Sequence, residues 1–223
     1  MTGTPRVTVL DYGIGNLLNV VRALEHCGAT VRVATQASDV TQGGELPDRV
    51  VLPGVGAFGD AMDELRLRGF DDLVKRFAAT ERPFLGICVG AQLLFDVGEE
   101  HSSGGEHAGL GLIPGRVQPV PSVAPDGKPL RIPHIGWSGL QLPPARADWQ
   151  STPLSNVALG EPVYFVHSFA PVPTHEAHRL ADTSYQGVRI CAAVAHGSLY
   201  GCQFHPERSA AAGLGILRQF LAL

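Results

Sequence analysis

The chain has 223 residues, of which 44% are hydrophobic and 17% are charged, and its formal net charge is -4. A chain of this length can bury a core without disulfides or metals, which predicts a single globular domain over residues 1–223. The mild acidity argues against a nucleic-acid partner, because such a partner favours a clustered basic face. No run of about 18 apolar residues is present, so no membrane span is predicted.

The cysteines indicate a reducing compartment. They are Cys27, Cys88, Cys191 and Cys202, and no two of them form a Cys-x-x-Cys pair. This scatter predicts neither a zinc site nor a disulfide framework. Residues 1–6 are short and polar and do not resemble a secretory signal, so a cytoplasmic location is expected.

Alternating strands and helices are predicted for the first half of the chain. Arg6–Leu10 is rich in β-branched residues and predicts the first strand, after which Asn16 is predicted to cap a helix from Leu17 to about His26. The other predicted elements of this half are strands at 30–34 and 49–52 and amphipathic helices at 61–67 and 70–78. This alternation predicts an α/β fold with a mostly parallel sheet and helices on both faces.

Two features could suggest a cofactor or a metal, and neither fits its pattern. Gly13 and Gly15 begin a dinucleotide-binding fingerprint, but Leu18 stands where the third glycine belongs. His101 and His107 lie near three glutamates (Glu99, Glu100 and Glu106), but their spacing matches no standard ligand set. Neither a cofactor nor a metal is therefore predicted.

The second half predicts β-structure interrupted by loops. The segment 98–128 is rich in Gly, Pro, Glu and His and predicts a loop with one apolar island at 110–117, and Pro133–Trp137 predicts a turn. The predicted regular elements are a strand at 163–169, a hairpin with arms at 186–196 and 198–204, and a final helix from Ala210 to about Leu221. Ser209 is predicted to cap that helix. The sheet is therefore expected to change from parallel to mixed.

The segment 83–95 carries the strongest chemical signal. Its apolar strand runs into Gly86-Ile87-Cys88-Val89-Gly90, and an apolar-periodic segment that predicts a helix follows. This order is typical of a nucleophile elbow, in which the reactive residue lies on a strained strand-to-helix turn. Glycines fit where backbones approach closely, and a helix N-terminus stabilises a thiolate at Cys88. An inert buried cysteine is the alternative on this motif alone.

Two further segments could complete such a site. Residues 53–58 place two glycines at the end of a buried strand, where peptide N–H groups can form an oxyanion hole, although a plain turn is also possible. His205 follows the last predicted strand and could accept the thiol proton, and Glu207 could hold its imidazole in one tautomer. His-Pro-Glu alone is common in surface turns, but its combination with an elbow cysteine is specific.

Six sequence blocks together carry a family resemblance. They are 11–16, 52–58, 86–94, 133–137, 164–169 and 201–207, within a stretch that runs from Val7 to Leu217. On these blocks the chain resembles the class-I, triad-type glutamine amidotransferases, and within them the glutaminase subunits of imidazole glycerol phosphate synthase. The resemblance implies a three-layer, flavodoxin-like α/β fold whose central sheet is mostly parallel and becomes mixed.

The resemblance also implies the chemistry. L-glutamine would be hydrolysed to L-glutamate and ammonia through a γ-glutamyl thioester on Cys88, with His205 as acid and base and Glu207 as its orienting partner. The implied oxyanion donors are the backbone N–H groups of Val55, Gly56 and Val89. The implied substrate contacts are Gly54, Gln92, His167, Ser168 and Phe169.

A partner is implied as well. The ammonia would pass to a (β/α)8-barrel cyclase that forms imidazole glycerol phosphate and AICAR in histidine biosynthesis. The implied interface residues are Asn16, His134, Ile135, Gly136, Trp137, Tyr164 and Arg208. The chain departs from the family pattern at Arg208, where lysine is usual, and at Phe169, where tyrosine is usual. Arginine keeps the charge but has a different reach, so the geometry at the subunit boundary is expected to differ.

Three other functions stay open on the sequence. The first is the glutaminase of another amidotransferase, serving anthranilate, aminodeoxychorismate or pyridoxal phosphate synthesis, and the blocks 11–16 and 133–137 count against it. The second is a cysteine peptidase on a similar scaffold, which Gln92 and the lack of peptide-groove aromatics disfavour. The third is a non-enzymatic thiol sensor, which would have no need of Glu207.

Overall fold

The computed structural model describes residues 4–41, 46–100 and 105–223, and His101 lies outside the described residues. The strands in these ranges are β1 (Arg6–Leu10), β2 (Thr30–Ala34), β3 (Val50–Gly54), β4 (Phe84–Cys88), β5 (Phe95–Gly98), β6 (His107–Ala108), β7 (Ile113–Pro119), β8 (His134–Gln141), β9 (Pro162–His167), β10 (Phe169–Pro173), β11 (Arg179–Tyr185), β12 (Val188–His196) and β13 (Leu199–Cys202). The helices are α1 (Leu17–His26), α2 (Ala37–Thr41), α3 (Phe58–Leu67), α4 (Phe70–Ala78), α5 (Val89–Gln92) and α6 (Ala210–Ala222). Strands and helices alternate as far as α5, and strands dominate after it.

Most of these strands form one large sheet. Within the described residues its order is β2-β1-β3-β4-β13-β12-β11-β8-β9. The strands from β2 to β13 pair in parallel, and every pair from β13–β12 outwards is antiparallel. Helices lie on both sides of the sheet. The predicted α/β fold with a parallel sheet that becomes mixed is confirmed.

The parallel half is covered on both faces. All five residues of β3 and all five of β4 are buried, as expected of strands between two helical layers. Helix α4 shows how the cover is made: Phe70, Leu73, Val74 and Phe77 are buried at helical spacing, while the first-turn acids and last-turn bases suit the helix dipole. This half therefore holds the ends of β3 and β4 rigidly.

Two predicted helix caps are not formed. Asn16 precedes α1, but its side chain makes no capping hydrogen bond. Ser209 precedes α6, yet its hydroxyl donates to the carbonyl of His205 at 2.6 Å and accepts the N–H of Tyr164 at 3.0 Å. Because the hydroxyl joins β9 to the segment after β13, Ser209 stabilises the position of His205 instead of the helix end.

The segment 98–128, predicted to be a loop, contains part of a second sheet. Within the described residues this sheet has the order β10-β7-β5-β6. In β7, Ile113 and Val117 are buried, while glycine and prolines interrupt the apolar pattern that would have indicated a strand. Its partners are distant in the chain, since β7 pairs antiparallel with β10 and parallel with β5. A local pattern could not reveal that pairing.

Three other predictions near the site were wrong in detail. The helix after Cys88 is one turn, α5, before the chain enters β5. The predicted turn at 133–137 is instead mostly the start of β8, which pairs with β9 at the edge of the large sheet. The predicted strand 163–169 is divided at Ser168, whose carbonyl accepts the N–H of Val120 at 2.8 Å. His167 and Phe169 consequently belong to different sheets and meet at the cleft between them.

No helix in the described ranges is long and apolar enough to cross a membrane. Those same ranges contain no group of three or more His, Cys, Asp or Glu side chains arranged to hold a metal ion.

Candidate active site

Cys88 is the last residue of β4 and immediately precedes α5. Its backbone has φ 53° and ψ -113°, a conformation that costs energy for a residue with a Cβ. The neighbouring glycines allow this turn: a Cβ on Gly86 would lie 2.6 Å from the carbonyl oxygen of Gly90, and a Cβ on Gly90 would overlap the carbonyl oxygen of Leu52. The predicted strained elbow, with glycines required by close backbone approach, is confirmed.

His205 and Glu207 lie beyond β13, beside the elbow. β13 pairs in parallel with β4 so that Cys202 lies opposite Ile87, and the residues after both strands therefore emerge at one edge of the sheet. The His205 Nδ1–H donates to Glu207 Oε1 at 2.8 Å, and both side chains are almost fully buried. Since a carboxylate only accepts, Nδ1 carries the proton and Nε2 is the nitrogen that remains for chemistry.

The electrostatics favour a charged imidazole. Burial lowers the pKa of His205, but the interactions with the nearby Cys88 sulfur and with the Glu207 carboxylate outweigh it and raise the pKa to about 10. His205 Nε2 has no geometric hydrogen-bond partner among the described residues. An imidazolium between a thiolate and a carboxylate is the arrangement that activates cysteine nucleophiles.

A cavity of about 530 Å³ opens onto Cys88 and His205. Its volume is in the range of small-molecule sites. The residues that line it are Val55, Gly56, Ala57, Cys88, Val89, Gln92, Glu100, Pro133, Val166, His167, Ser168, Phe169 and His205. The structure therefore brings most of the predicted oxyanion and substrate residues together around the thiol, with Gly54 behind them at the end of β3.

The predicted oxyanion segment follows β3 directly. Gly54 lies opposite Cys88 in the β3–β4 register, so Val55 and Gly56 flank the thiol. Gly56 has φ +85°, which favours glycine, and a Cβ on Gly54 would overlap the hydroxyl of Tyr12. That hydroxyl is buried and has no hydrogen-bond partner among the described residues. Glycine is thus required at this strand end by both conformation and space.

Gln92 and His167 meet at the carbonyl of Phe169. The side-chain N–H of Gln92 donates to this oxygen at 3.1 Å, and His167 Nδ1 lies 2.9 Å from it. A backbone carbonyl offers acceptors alone, so His167 must carry its proton on Nδ1. Substitution of tyrosine by Phe169 leaves this contact intact because it uses the backbone.

His134 supports His167 through the second ring nitrogen of His167. It is 1% exposed, its Nδ1 lies 3.0 Å from His167 Nε2, and its Nε2 accepts the hydroxyl of Ser138 at 2.9 Å. Burial lowers the pKa of His134 to about 4 and that of His167 to about 3. Both rings are therefore neutral at neutral pH, and the tautomers follow from the Phe169 carbonyl.

Sequence reasoning assigned no site role to Glu100. This carboxylate lines the cavity, and its Oε2 accepts the N–H of Phe58 at the start of α3, at 2.6 Å. The signal that could have found it is a glutamate shortly after a strand that follows the elbow. Only the tertiary structure shows that the strand turns back toward the cavity.

The predicted interface residues divide into exposed and buried groups. Ile135 and Trp137 are 57% and 53% exposed on β8. The Trp137 ring meets the edge of Tyr164 at 5.9 Å, and the guanidinium of Arg208 lies 4.3 Å over the Tyr164 ring. We call Ile135, Trp137, Tyr164 and Arg208 the aromatic patch. His134 instead packs between Phe165 and Tyr185 inside the protein, with ring centroids 4.7 and 4.0 Å away.

The other two predicted interface residues flank this patch. Gly136 separates Ile135 from Trp137 on β8 and has φ +134°. Asn16 is half-buried ahead of α1, and α1 contacts the turn that contains Arg208. Gly136 is therefore adjacent to the aromatic patch in the chain, and Asn16 precedes a helix that contacts the turn of Arg208.

Comparison with known proteins identifies the family. The family profile "Glutamine amidotransferase class-I" matches residues 8–222. The chain belongs to the class-I glutamine amidotransferases. The amidotransferase is 46% identical over 217 residues to "Imidazole glycerol phosphate synthase subunit HisH 1" of Legionella pneumophila (strain Lens), covering 97% of this chain and 99% of the relative. It is 42% identical to subunit HisH of Aromatoleum aromaticum, with 97% of each chain covered.

Solved structures show the same fold for this amidotransferase. A putative GMP synthase protein from Thermoplasma acidophilum has a TM-score of 0.67 at 18% identity, covering 100% of this chain and 94% of that one. PurLQS from Thermotoga maritima has a TM-score of 0.67 at 19% identity, with 99% of each chain covered. The resemblance inferred from sequence is confirmed: the amidotransferase is an enzyme subunit of the glutamine-hydrolysing family and groups with the HisH subunits.

Proposed function

We propose that the chain is the glutaminase subunit of an imidazole glycerol phosphate synthase and hydrolyses L-glutamine in the cavity around Cys88. The observation that carries this proposal is the arrangement of a buried, strained cysteine and a His205–Glu207 pair joined at 2.8 Å around one cavity. The HisH relatives support the synthase assignment. We further propose that residues 1–223 form one domain, because the large sheet uses strands from both ends of the described chain. We also propose a cytoplasmic location, because the four cysteines are free, which suits a reducing compartment.

The first chemical step uses the free nitrogen of His205. With the thiol proton held on Nε2, as the raised pKa of His205 favours, the Cys88 thiolate attacks the side-chain amide carbon of glutamine to form a tetrahedral intermediate. The proposed oxyanion donors are the N–H of Val89 at the start of α5 and an N–H from Val55 or Gly56. Removal of one such donor typically raises the activation free energy by about 3 kcal/mol.

The second step releases ammonia. His205 Nε2–H protonates the leaving nitrogen, the C–N bond breaks, and a γ-glutamyl thioester remains on Cys88. His205 then takes a proton from water as the water attacks the thioester, and glutamate leaves as the C–S bond breaks. Glu207 keeps the imidazole in the reactive tautomer and stabilises its cationic form throughout.

Substrate recognition is proposed to combine one carboxylate with several polar groups in and around the cavity. The Glu100 carboxylate can accept an ammonium group, which is the cationic end of glutamine. Backbone groups at Gly54, His167, Ser168 and Phe169 can bind the remaining polar atoms, and Gln92 contributes an amide oxygen. This set would favour a free amino acid over a peptide, because a peptide bond removes the ammonium charge.

The partner is proposed to bind at the aromatic patch and its flanks, Asn16 and Gly136. Exposed tryptophan, tyrosine and arginine are the residues that dominate binding energy in many interfaces. The partner would be the (β/α)8-barrel cyclase that consumes ammonia. Arg208 already stacks on Tyr164 in the chain alone, so this contact does not have to form on binding.

The test is glutamine hydrolysis by the chain alone and with the cyclase subunit of a HisH-type synthase plus its nucleotide substrate. Strong stimulation by the cyclase, absent in Cys88→Ala, is the expected result. Equal activity with and without the cyclase, or stimulation by the synthase subunit of anthranilate or aminodeoxychorismate formation instead, would reject the synthase assignment. Full activity in Cys88→Ala would reject the proposed site.

A further inference from the structure

Gln203 has no place in the mechanism above, yet it touches two of its members. It follows β13 directly, two residues before His205, and is 1% exposed. Its side-chain nitrogen lies 3.7 Å from Cys88 Sγ, and its side-chain oxygen lies 2.9 Å from Gln92 Nε2. A buried amide is expected to be bonded, so the question is what these bonds achieve for the reaction.

The orientation of both amides follows from one backbone atom. The carbonyl of Phe169 can only accept, so Gln92 must turn its NH2 group toward it, at 3.1 Å. The same nitrogen faces Gln203 at 2.9 Å, so Gln203 must present its oxygen there. The NH2 group of Gln203 is thereby directed at Cys88 Sγ.

Two consequences follow from that orientation. Both N–H groups of Gln92 are occupied, so its oxygen, which has no hydrogen-bond partner in the described part of the chain, is the group that it can offer to a donor on the substrate. Cys88 receives an N–H donor on its sulfur, and such a bond strengthens when the sulfur becomes a thiolate. The Phe169 carbonyl is itself held by His167, so the whole arrangement is tied to β10.

We propose that Gln203 is a positioning residue of this amidotransferase, which holds the Cys88 sulfur by an N–H donor and keeps the Gln92 oxygen turned to the substrate. The inference rests on the roles proposed above for Cys88 and Gln92. The alternative is that Gln203 fills buried space with a satisfied amide. A filling role predicts an effect on stability alone, whereas a positioning role predicts effects on thiolate formation and on the Michaelis constant.

The main variant is Gln203→Glu, which keeps the shape but replaces the donor by an acceptor facing the sulfur. Gln203→Met removes both bonds at similar length. Gln219→Met is the matched control, since Gln219 is half-buried, accepts a hydrogen bond from Ser155 at 3.2 Å and is remote in the sequence from the elbow. Each variant is first checked for folding by circular dichroism and thermal melting.

The first readout is the rate of alkylation by iodoacetamide as a function of pH. Cys88→Ala supplies the background of Cys27, Cys191 and Cys202. The latter two are fully buried, and burial raises their thiol pKa values well above the usual range. We expect alkylation at pH 7 to slow about tenfold in Gln203→Met and more in Gln203→Glu, with the pH midpoint displaced upward, because a charge-assisted hydrogen bond to the thiolate is lost.

The second readout is steady-state glutamine hydrolysis with the cyclase present. We expect KM to rise together with a fall in kcat for both Gln203 variants, and neither to change for Gln219→Met. Gln203 variants that are merely less stable, with an unchanged alkylation profile and unchanged KM, would overturn the proposal. If neither main variant folds, Gln203→Asn retains the amide but is one methylene too short to reach both partners, and it must show the same slowed alkylation.

The Cys88→Ala and Gln203 variants distinguish a wrong active site from a wrong role of Gln203. An active Cys88→Ala enzyme would reject the proposed site altogether. An inactive Cys88→Ala enzyme with Gln203 variants that match the wild type in both readouts would reject the role of Gln203 alone.

Discussion

The parallel and antiparallel halves of the large sheet place different parts of the site. In the parallel half, β3 and β4 are buried at every position, and their ends position the predicted oxyanion segment and Cys88. In the antiparallel half, β9 is the edge strand of the sheet, and β8 beside it exposes Ile135 and Trp137 on the surface. Strands covered on both faces hold reactive groups rigidly, whereas an edge with one open face can bind a partner.

β13 joins the two halves, since it pairs in parallel with β4 and antiparallel with β12. His205 and Glu207 follow it. The general base therefore lies at the junction of the two halves: it lines the same cavity as the nucleophile, and the Ser209 hydroxyl connects it to β9. Substitutions in one half are thus expected to affect glutamine hydrolysis, and substitutions in the other half are expected to affect cyclase binding.

The largest effect is expected at Glu207→Gln, which acts at the junction. The amide can donate to Nδ1 and favour the wrong tautomer, and the charge that helps to raise the pKa of His205 is lost. We expect kcat for glutamine hydrolysis to fall by about 10³-fold or more, by analogy with triad enzymes. Binding of the cyclase should be unchanged, which titration calorimetry can measure. A kcat within threefold of wild type would contradict the role of Glu207.

The substitution Gly90→Ala should destabilise the parallel half. The new Cβ would overlap the backbone carbonyl of Leu52, and backbone cannot move aside as a side chain could. We expect the free energy of unfolding, measured in urea, to fall by about 3 kcal/mol or more.

Gly215→Ala is the control for that experiment. Gly215 lies in α6, and apart from its chain neighbours and the backbone of its own helix, no atom of the described residues lies within 4 Å of the position that a Cβ would take. Alanine there should raise the free energy of unfolding by about 0.5–1 kcal/mol, because helix propensity improves without a clash. Equal effects of the two substitutions would show that close backbone approach at the elbow does not matter.

The antiparallel half should be sensitive to Trp137→Ala. Removal of an exposed aromatic side chain from the aromatic patch is expected to weaken cyclase binding by about 2 kcal/mol, or roughly thirtyfold in Kd, if the patch is the interface. Basal glutamine hydrolysis without the cyclase should stay the same. Leu67→Ala is the control, since Leu67 is 79% exposed on α3 in the other half. A matching loss in Leu67→Ala, or none in Trp137→Ala, would move the interface elsewhere.

A pH-dependent effect on stability is expected from the buried histidine pair, His134 and His167. Burial lowers the pKa of His134 to about 4 and of His167 to about 3, below the ordinary 6.5. Below pH 6.5 the unfolded chain binds protons that the folded chain excludes, so stability falls as the pH drops toward 4. Between pH 7 and pH 5, each histidine should lower the free energy of unfolding by about 1–2 kcal/mol.

Replacement of one member of the pair tests that expectation. Between pH 7 and pH 5, the free energy of unfolding of His134→Gln, measured in urea, should fall by about 1–2 kcal/mol less than that of the wild type. Because each protein is compared with its own stability at pH 7, any loss of stability that does not depend on pH cancels. If the free energy of unfolding depended on pH equally in the two proteins, His134 would not contribute to the pH dependence as expected.

Several elements and the nucleophile could be predicted from local pattern. Cys88 lies between two glycines after an apolar run, and the conformational need for glycine there is local. Helix α4 was predicted with the bounds it has, because its apolar spacing and its terminal charges agree. The strand at 163–169 was predicted as continuous, because nothing local signals that Ser168 leaves one sheet for another.

Apart from the short helix α2, which the sequence pattern did not predict, the sequence by itself determined the order of strands and helices in the parallel half. It also determined the elbow and the His205–Glu207 turn, since each of these depends on neighbours a few residues away. The tertiary structure alone decided that β7 is a strand, that His134 is a buried support for His167, and that Glu100 and Gln203 belong to the site. These depend on pairing and packing between residues far apart in the chain, and the free energy of such contacts has no local signature.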